Sequence, residues 1–160
     1  MRNKALSSLV AFALVGILLA PLSAQDRAAE TAAVKQTFRD FVATFVAGDP
    51  KKIASFLKEP VIIVGSGTVL GTTSEIEKWA ADTRSQLQSR GYADFAFDQL
   101  EARPLGQNVA FLSYSGQRKT KDGAVIEKVA GSMFFRKTDA GWKMVTVPHG
   151  YPPADFIKLD

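Results

Sequence analysis

Four kinds of side chain in this sequence sit where chemistry is conceivable. His149, the one histidine of the chain, stands between Pro148 and Gly150 near the end of a strand-like run. Its ordinary titration lies near neutral pH, as a general acid or base requires, though it could equally fix the strand end by hydrogen bonding. Asp98 lies within Phe95-Ala-Phe-Asp-Gln-Leu100, an acid amid apolar neighbours. Turned inward, its carboxyl would be pushed up by burial and become a usable base. Alternation places it opposite Phe95 and Phe97, so one of those two faces must be the wet one. Tyr114 could donate a hydrogen bond to a ligand or simply pack in a strand. Ser66 and Thr68 could edge a pocket mouth or merely shape a turn. No catalytic residue is assigned; Asp98, Tyr114 and His149 are the candidates. A single histidine with scattered carboxylates and no cysteine makes a poor metal site, and neither metal nor cofactor is expected.

Gly65-Ser-Gly-Thr-Val-Leu-Gly71 follows a short apolar run, as a dinucleotide-binding glycine loop would. Its spacing is wrong for that fingerprint, and the next helix starts only after the glycines. A glycine-bearing turn is the expected form.

The elements that must position these groups can be read from periodicity. Val125 to His149 reads as two runs of β-branched and aromatic residues around the turn Thr138-Asp-Ala-Gly141, a hairpin signal. Val129, Gly131, Met133 and Phe135 share one face of the first run, with Lys128, Ser132 and Arg136 on the other. Ala29 to Ala47 carries Ala33, Val34, Phe38, Phe41, Val42 and Phe45 at helical spacing. Gly48 ends that helix, and Asp49-Pro50 caps a short second one expected to stop at Pro60. Val61 to Val64 reads as a brief strand. Ser74-x-x-Glu77 fits a capping box for a third helix, whose stripe of Ile76, Trp79, Ala80, Thr83 and Leu87 puts Trp79 in the interior. Tyr92 to Arg103 and Gln107 to Arg118 read as further strands, and Lys121-Asp-Gly123 as a hairpin turn. The expected pocket lining is Phe38, Phe41, Phe45 and Trp79 from helices, with Met133 and Phe135 from the sheet. The same residues could also fill the core without leaving a cavity.

The order is long helix, short helix, strand, helix, then four strands. With Gly48-Asp49 between the first helices, Leu87-Gln-Ser-Arg-Gly-Tyr92 closing the third and Gly141-Trp-Lys-Met144 opening the last strand, it resembles the nuclear transport factor two-like superfamily. That superfamily includes SnoaL-like proteins and ketosteroid isomerases, and the likeness is strongest to bacterial members of unassigned function. The resemblance covers roughly residues 29–150. It implies an α+β fold, a cone-like curved antiparallel sheet covered by three N-terminal helices, with an open-ended apolar pocket. Ketosteroid isomerases carry a tyrosine on the first helix and a carboxylate base in the early strand region. Here those places hold Phe38, Phe41 and Phe45, and Ile62, Ile63 and Val64, so that mechanism is not expected.

Composition bounds the rest. The chain has 160 residues, enough for one domain with a single core. Arg2 and Lys4, an apolar stretch from Leu9 to Leu19, and Pro21-Leu-Ser-Ala24 follow the order of a secretory signal peptide. Residues 1–24 are therefore expected as a signal segment, cleaved after Ala24 or retained as an anchor, and 25–160 as one exported domain, periplasmic or secreted. The pI is near 9.4, but loss of the leader lowers the formal charge from +4 to +2. Lys51-Lys52, Lys119/Lys121 and Arg136-Lys137 read as solvated surface, so no nucleic-acid partner is expected, nor a membrane once the leader is cut. With no cysteine, disulfides and thiol chemistry are excluded. Three functions stay open: a domain binding a small apolar molecule in its cone, an isomerase, dehydratase or hydrolase using Asp98 or His149, and a homodimeric protein–protein module working through its outer sheet face.

Overall fold

The computed structural model describes residues 23–148 and 151–159. Helix α1 spans Ala24–Ala47, starting earlier than the apolar stripe requires. Ser23 explains the earlier start: its hydroxyl accepts from Asp26 N at 3.1 Å, and the Ala-rich turns that follow favour helix. The helix buries Val34, Phe38, Phe41 and Phe45. It ends at Gly48, whose φ of 87° is the left-handed conformation that glycine adopts without strain. Arg84 then takes up two of the last carbonyls, Phe45 O at 3.2 Å through Nε and Val46 O at 3.1 Å through Nη2.

Asp49 caps α2 (Pro50–Ala54), which is shorter than expected. Strand β1 (Leu57–Val64) begins before Pro60 and runs through it. Proline lacks an N–H and would break a regular ladder, but pairing with the neighbouring strand is irregular between Leu57 and Ile62, where Pro60 sits. The glycine-rich stretch is the turn of a hairpin: Gly65 and Gly67 have φ of 101° and 69°, and β2 (Thr68–Leu70) returns antiparallel to β1.

Helix α3 covers Thr73–Ser89, and its capping box uses Thr72 and Glu75 rather than Ser74 and Glu77. Thr72 is the last extended residue, and Glu75 Oε2 reaches back to Gly71 N at 2.7 Å and Thr72 N at 3.0 Å. Four long strands follow: β3 (Asp94–Pro104), β4 (Val109–Lys119), β5 (Val125–Thr138) and β6 (Gly141–Pro148).

The six strands form one open sheet in the order β2-β1-β6-β5-β4-β3. The long strands pair antiparallel, whereas β1 lies parallel to β6, so the sheet is mixed at that seam. The expected parity of β5 holds: Val129, Met133 and Phe135 are buried beneath the helices, and Phe134 and Arg136 are exposed on the other face. A further tie joins the start of α1 to the sheet. Glu30 accepts from Trp142 Nε1 at 2.7 Å and pairs with Lys137.

Candidate functional site

Strand period puts Ala110, Leu112, Tyr114, Gly116 and Arg118 of β4 on the helix-facing side of the sheet, next to Val129, Gly131, Met133 and Phe135 of β5. Two glycines in these runs are placed by space rather than by φ. A Cβ on Gly131 would lie 2.7 Å from the Tyr114 ring, and one on Gly116 would lie 2.6 Å from the Phe95 ring. Glycine therefore lets both rings lie close against the sheet. Tyr114 is 7% exposed, with its ring centroid 4.9 Å from Phe38 and 6.1 Å from Phe95.

Over this floor the elements do not close completely. An apolar cavity of about 100 Å³ remains. Helix α1 contributes Phe38, Phe41, Val42 and Phe45; α3 contributes Trp79, Thr83 and Leu87. The sheet supplies Met133, Met144, Tyr114 and Arg118, and Tyr92 joins them from the segment before β3.

Both phenols are held neutral. Burial pushes Tyr114 up to about 12, and it does the same to Tyr92, with the Arg118 guanidinium opposing the shift in each case. They are hydrogen-bond donors at physiological pH, not bases. Among the described residues neither hydroxyl has a hydrogen-bond partner, yet no fully covered side-chain nitrogen or oxygen lacks one. Both rings line the cavity. Arg118 donates from Nη1 to Glu127 Oε2 at 2.7 Å, and Arg90 Nη1 approaches the same oxygen at 3.4 Å.

The sequence candidates divide. Phe38, Phe41, Phe45, Trp79, Met133 and Tyr114 all line the cavity. Phe135 does not: it is fully buried in the core where β5 pairs with Met144 of β6. Trp79 is half-buried at the cavity wall rather than interior, since α3 leaves its ring partly open to solvent. Asp98 is exposed and accepts from Gln117 Nε2 at 2.9 Å. Alternation accounts for this, since Phe95 and Phe97 pack toward the core and leave Asp98 on the wet face; the register shift between Phe97 and Gln99 then changes the parity, so that Leu100 rather than Gln99 is half-buried. Ser66 bonds within its own turn, to Ile63 O and Thr68. His149 lies outside the described residues. Arg118, Tyr92 and Met144 went unnamed as site residues, although Arg118 falls four residues beyond Tyr114 in the same strand and so on its face. Among the described residues no group of three or more His, Asp or Glu could hold a metal ion, and no helix is long and apolar enough to cross a membrane.

The sequence matches the family described as NTF2-like protein (DUF6841) over residues 29–150. The chain belongs to that family. Solved structures similar to this NTF2-like protein share its fold at low identity. A protein of unknown function from the DUF3225 family of Pectobacterium atrosepticum is 18% identical, with 79% of this chain and 94% of that chain covered at a TM-score of 0.59. A provisionally assigned dehydratase of the NTF2-like family from Streptomyces avermitilis is 15% identical over 76% and 94% of the two chains, with a TM-score of 0.58. An NTF2-like protein with a cystatin-like fold from Novosphingobium aromaticivorans is 18% identical over 73% and 78%, with a TM-score of 0.56. No functionally curated protein matches the chain.

Proposed function

We propose that this NTF2-like protein is an exported domain that binds a small apolar molecule in its cone and carries out no proton transfer on it. The observation that supports this most is the cavity between α1, α3 and the sheet, walled by Phe38, Phe41, Phe45, Trp79 and Met133. Such a wall contributes apolar and dispersion contacts, and a cavity of about 150 Å³ with similar lining takes up benzene. Among the described residues the polar side chains that reach it are the Tyr92 and Tyr114 phenols, both pushed up to about 12, the Thr83 hydroxyl and the Arg118 guanidinium, with no carboxylate among them. A ligand that binds the folded state raises the melting temperature by mass action. Toluene should therefore raise the melting point of the wild type and not of Leu87→Trp, in which the larger ring would occupy the cavity. Equal shifts in both proteins would mean that toluene binds elsewhere. Export is supported by the signal-like order of residues 1–24. Mass spectrometry of the protein recovered from the periplasm or medium should find a chain starting at or near Gln25, and retention of residues 1–24 in a membrane fraction would refute cleavage.

A second reading has its own support. Val69 of β2, Ile62 of β1 and Thr146 of β6 are register neighbours, Phe134 of β5 pairs with Phe111 of β4, and Phe134 N joins the two groups by donating to Thr146 Oγ1 at 2.8 Å. Val69, Ile62 and Phe134 are 58%, 45% and 42% exposed, and the Phe111 and Phe134 rings stack edge to face at 5.3 Å. An apolar patch of this kind suits a second copy of the chain, face to face. Sedimentation of wild type and Phe134→Lys tests it: a dimer that the substitution dissociates supports the homodimer, and a monomeric wild type refutes it.

A further inference from the structure

We infer that the ligand of the cone is a single-ring aromatic monocarboxylate, its ring among the phenylalanines and its carboxylate held by Arg118 and Tyr114. This rests on the binding reading above and adds the chemical class.

The ring follows from size and lining. A volume of about 100 Å³ is on the scale of one ring, and the walls are aromatic faces and methionine thioethers, which pack well on a flat ring. The head group follows from donors without acceptors. Tyr114 lines the cavity and its O–H has no acceptor among the described residues. Arg118 uses Nη1 on Glu127, while its Nε and Nη2 have no hydrogen bond to any described residue. A carboxylate has two oxygens and accepts from both a guanidinium and a phenol, whereas an ammonium would find no acceptor there.

The local charge agrees. Arg118 and Arg90 share the single carboxylate of Glu127, which leaves one positive charge over. The other charged groups that act on Tyr92 are Asp94 and Arg84, of opposite sign, so the excess stays positive. Arg118 is only about one-fifth exposed, so its free N–H groups are partly withdrawn from water and favour an anion that reaches them.

Calorimetric titration of the protein with benzoate, benzamide and toluene provides the test. Benzamide keeps the ring and shape of benzoate without its charge, and toluene tests the cavity alone. Charge-assisted hydrogen bonds predict benzoate at least about tenfold tighter than benzamide in the wild type. Arg118→Gln should bring the two within about twofold while toluene affinity is kept, which also reports that the variant is folded. Tyr114→Phe, which removes one oxygen and no packing, should weaken benzoate several-fold and leave toluene unchanged. If toluene binds but benzoate has no advantage, or its advantage survives Arg118→Gln, the carboxylate is wrong and the cavity reading stands. If none of the three binds, both fall.

Discussion

Removing one oxygen atom, Tyr114→Phe, separates a group retained for the fold from one retained for a ligand. The ring would stay where it is, against Phe38 at 4.9 Å and above Gly131. Only the hydroxyl is lost, and in the described structure it bonds to no protein group. A buried hydroxyl without a partner destabilises the native state by about 1–3 kcal/mol relative to one that is satisfied. Water can recover part of this, because the space beside Tyr114 also holds the polar groups of Tyr92 and Arg118 and so offers the two to four partners a buried water needs. The substitution should therefore leave stability unchanged or raise it by up to about 1 kcal/mol. Urea unfolding of both proteins, with equal dependence on denaturant, measures the difference. A Tyr114→Phe protein less stable than wild type by more than about 1 kcal/mol would show that the hydroxyl is bonded internally, and the argument for an open polar end of the cavity would be refuted.

Gly131→Ala should overpack the same floor, because the added Cβ would meet the Tyr114 ring at 2.7 Å and the Pro148 ring at 2.8 Å. A loss of ~1–3 kcal/mol in urea melts is expected, and wild-type stability would mean that Tyr114 is free to move aside. Glu30 is held below the usual glutamate range, first by the Lys137 hydrogen bond and then by Trp142. A depressed folded pKa contributes stability that is present above the unfolded value, about 4.3, and is lost as pH falls through the lower folded value. Glu30→Gln should thus be less stable than wild type by about 1 kcal/mol at pH 7, a figure reduced for the partial exposure of the pair, with the gap closing toward pH 3. A pH-independent gap would assign the effect to packing.

Much of the fold was legible because its signals are local and redundant. The α1 stripe, Asp49-Pro50, the β5–β6 hairpin and the inner-face parity of Val129 to Phe135 each arise from side-chain periodicity or cap chemistry, and the structure repeats them. What was misread depends on neighbours far along the chain. Pro60 reads as a helix stop, but β6 receives it at an irregular seam. Alternation set Asp98 opposite Phe95 and Phe97 without saying which face was wet, and the register shift against β4 that re-aims Leu100 has no local signal. Thr72 and Ser74 both begin acceptable capping boxes two residues apart, and only the path of the chain out of β2 selects Thr72. At the site the aromatic walls were recognised by type. Arg118 was read only as the end of a strand, although it shares its face with Tyr114 four residues before it.

The central claim is that the cone holds a cavity open to a small apolar guest, and two methionine methyls report on it directly. The chain contains three methionines, and Met133 and Met144 both line the cavity. In protein carrying ¹³C-methyl methionine, titration with toluene should move the Met133 and Met144 signals along one saturable curve. If neither signal moves up to the solubility limit of toluene, the space among Phe38, Phe45, Trp79 and Met133 does not admit a ligand, and the binding function is contradicted.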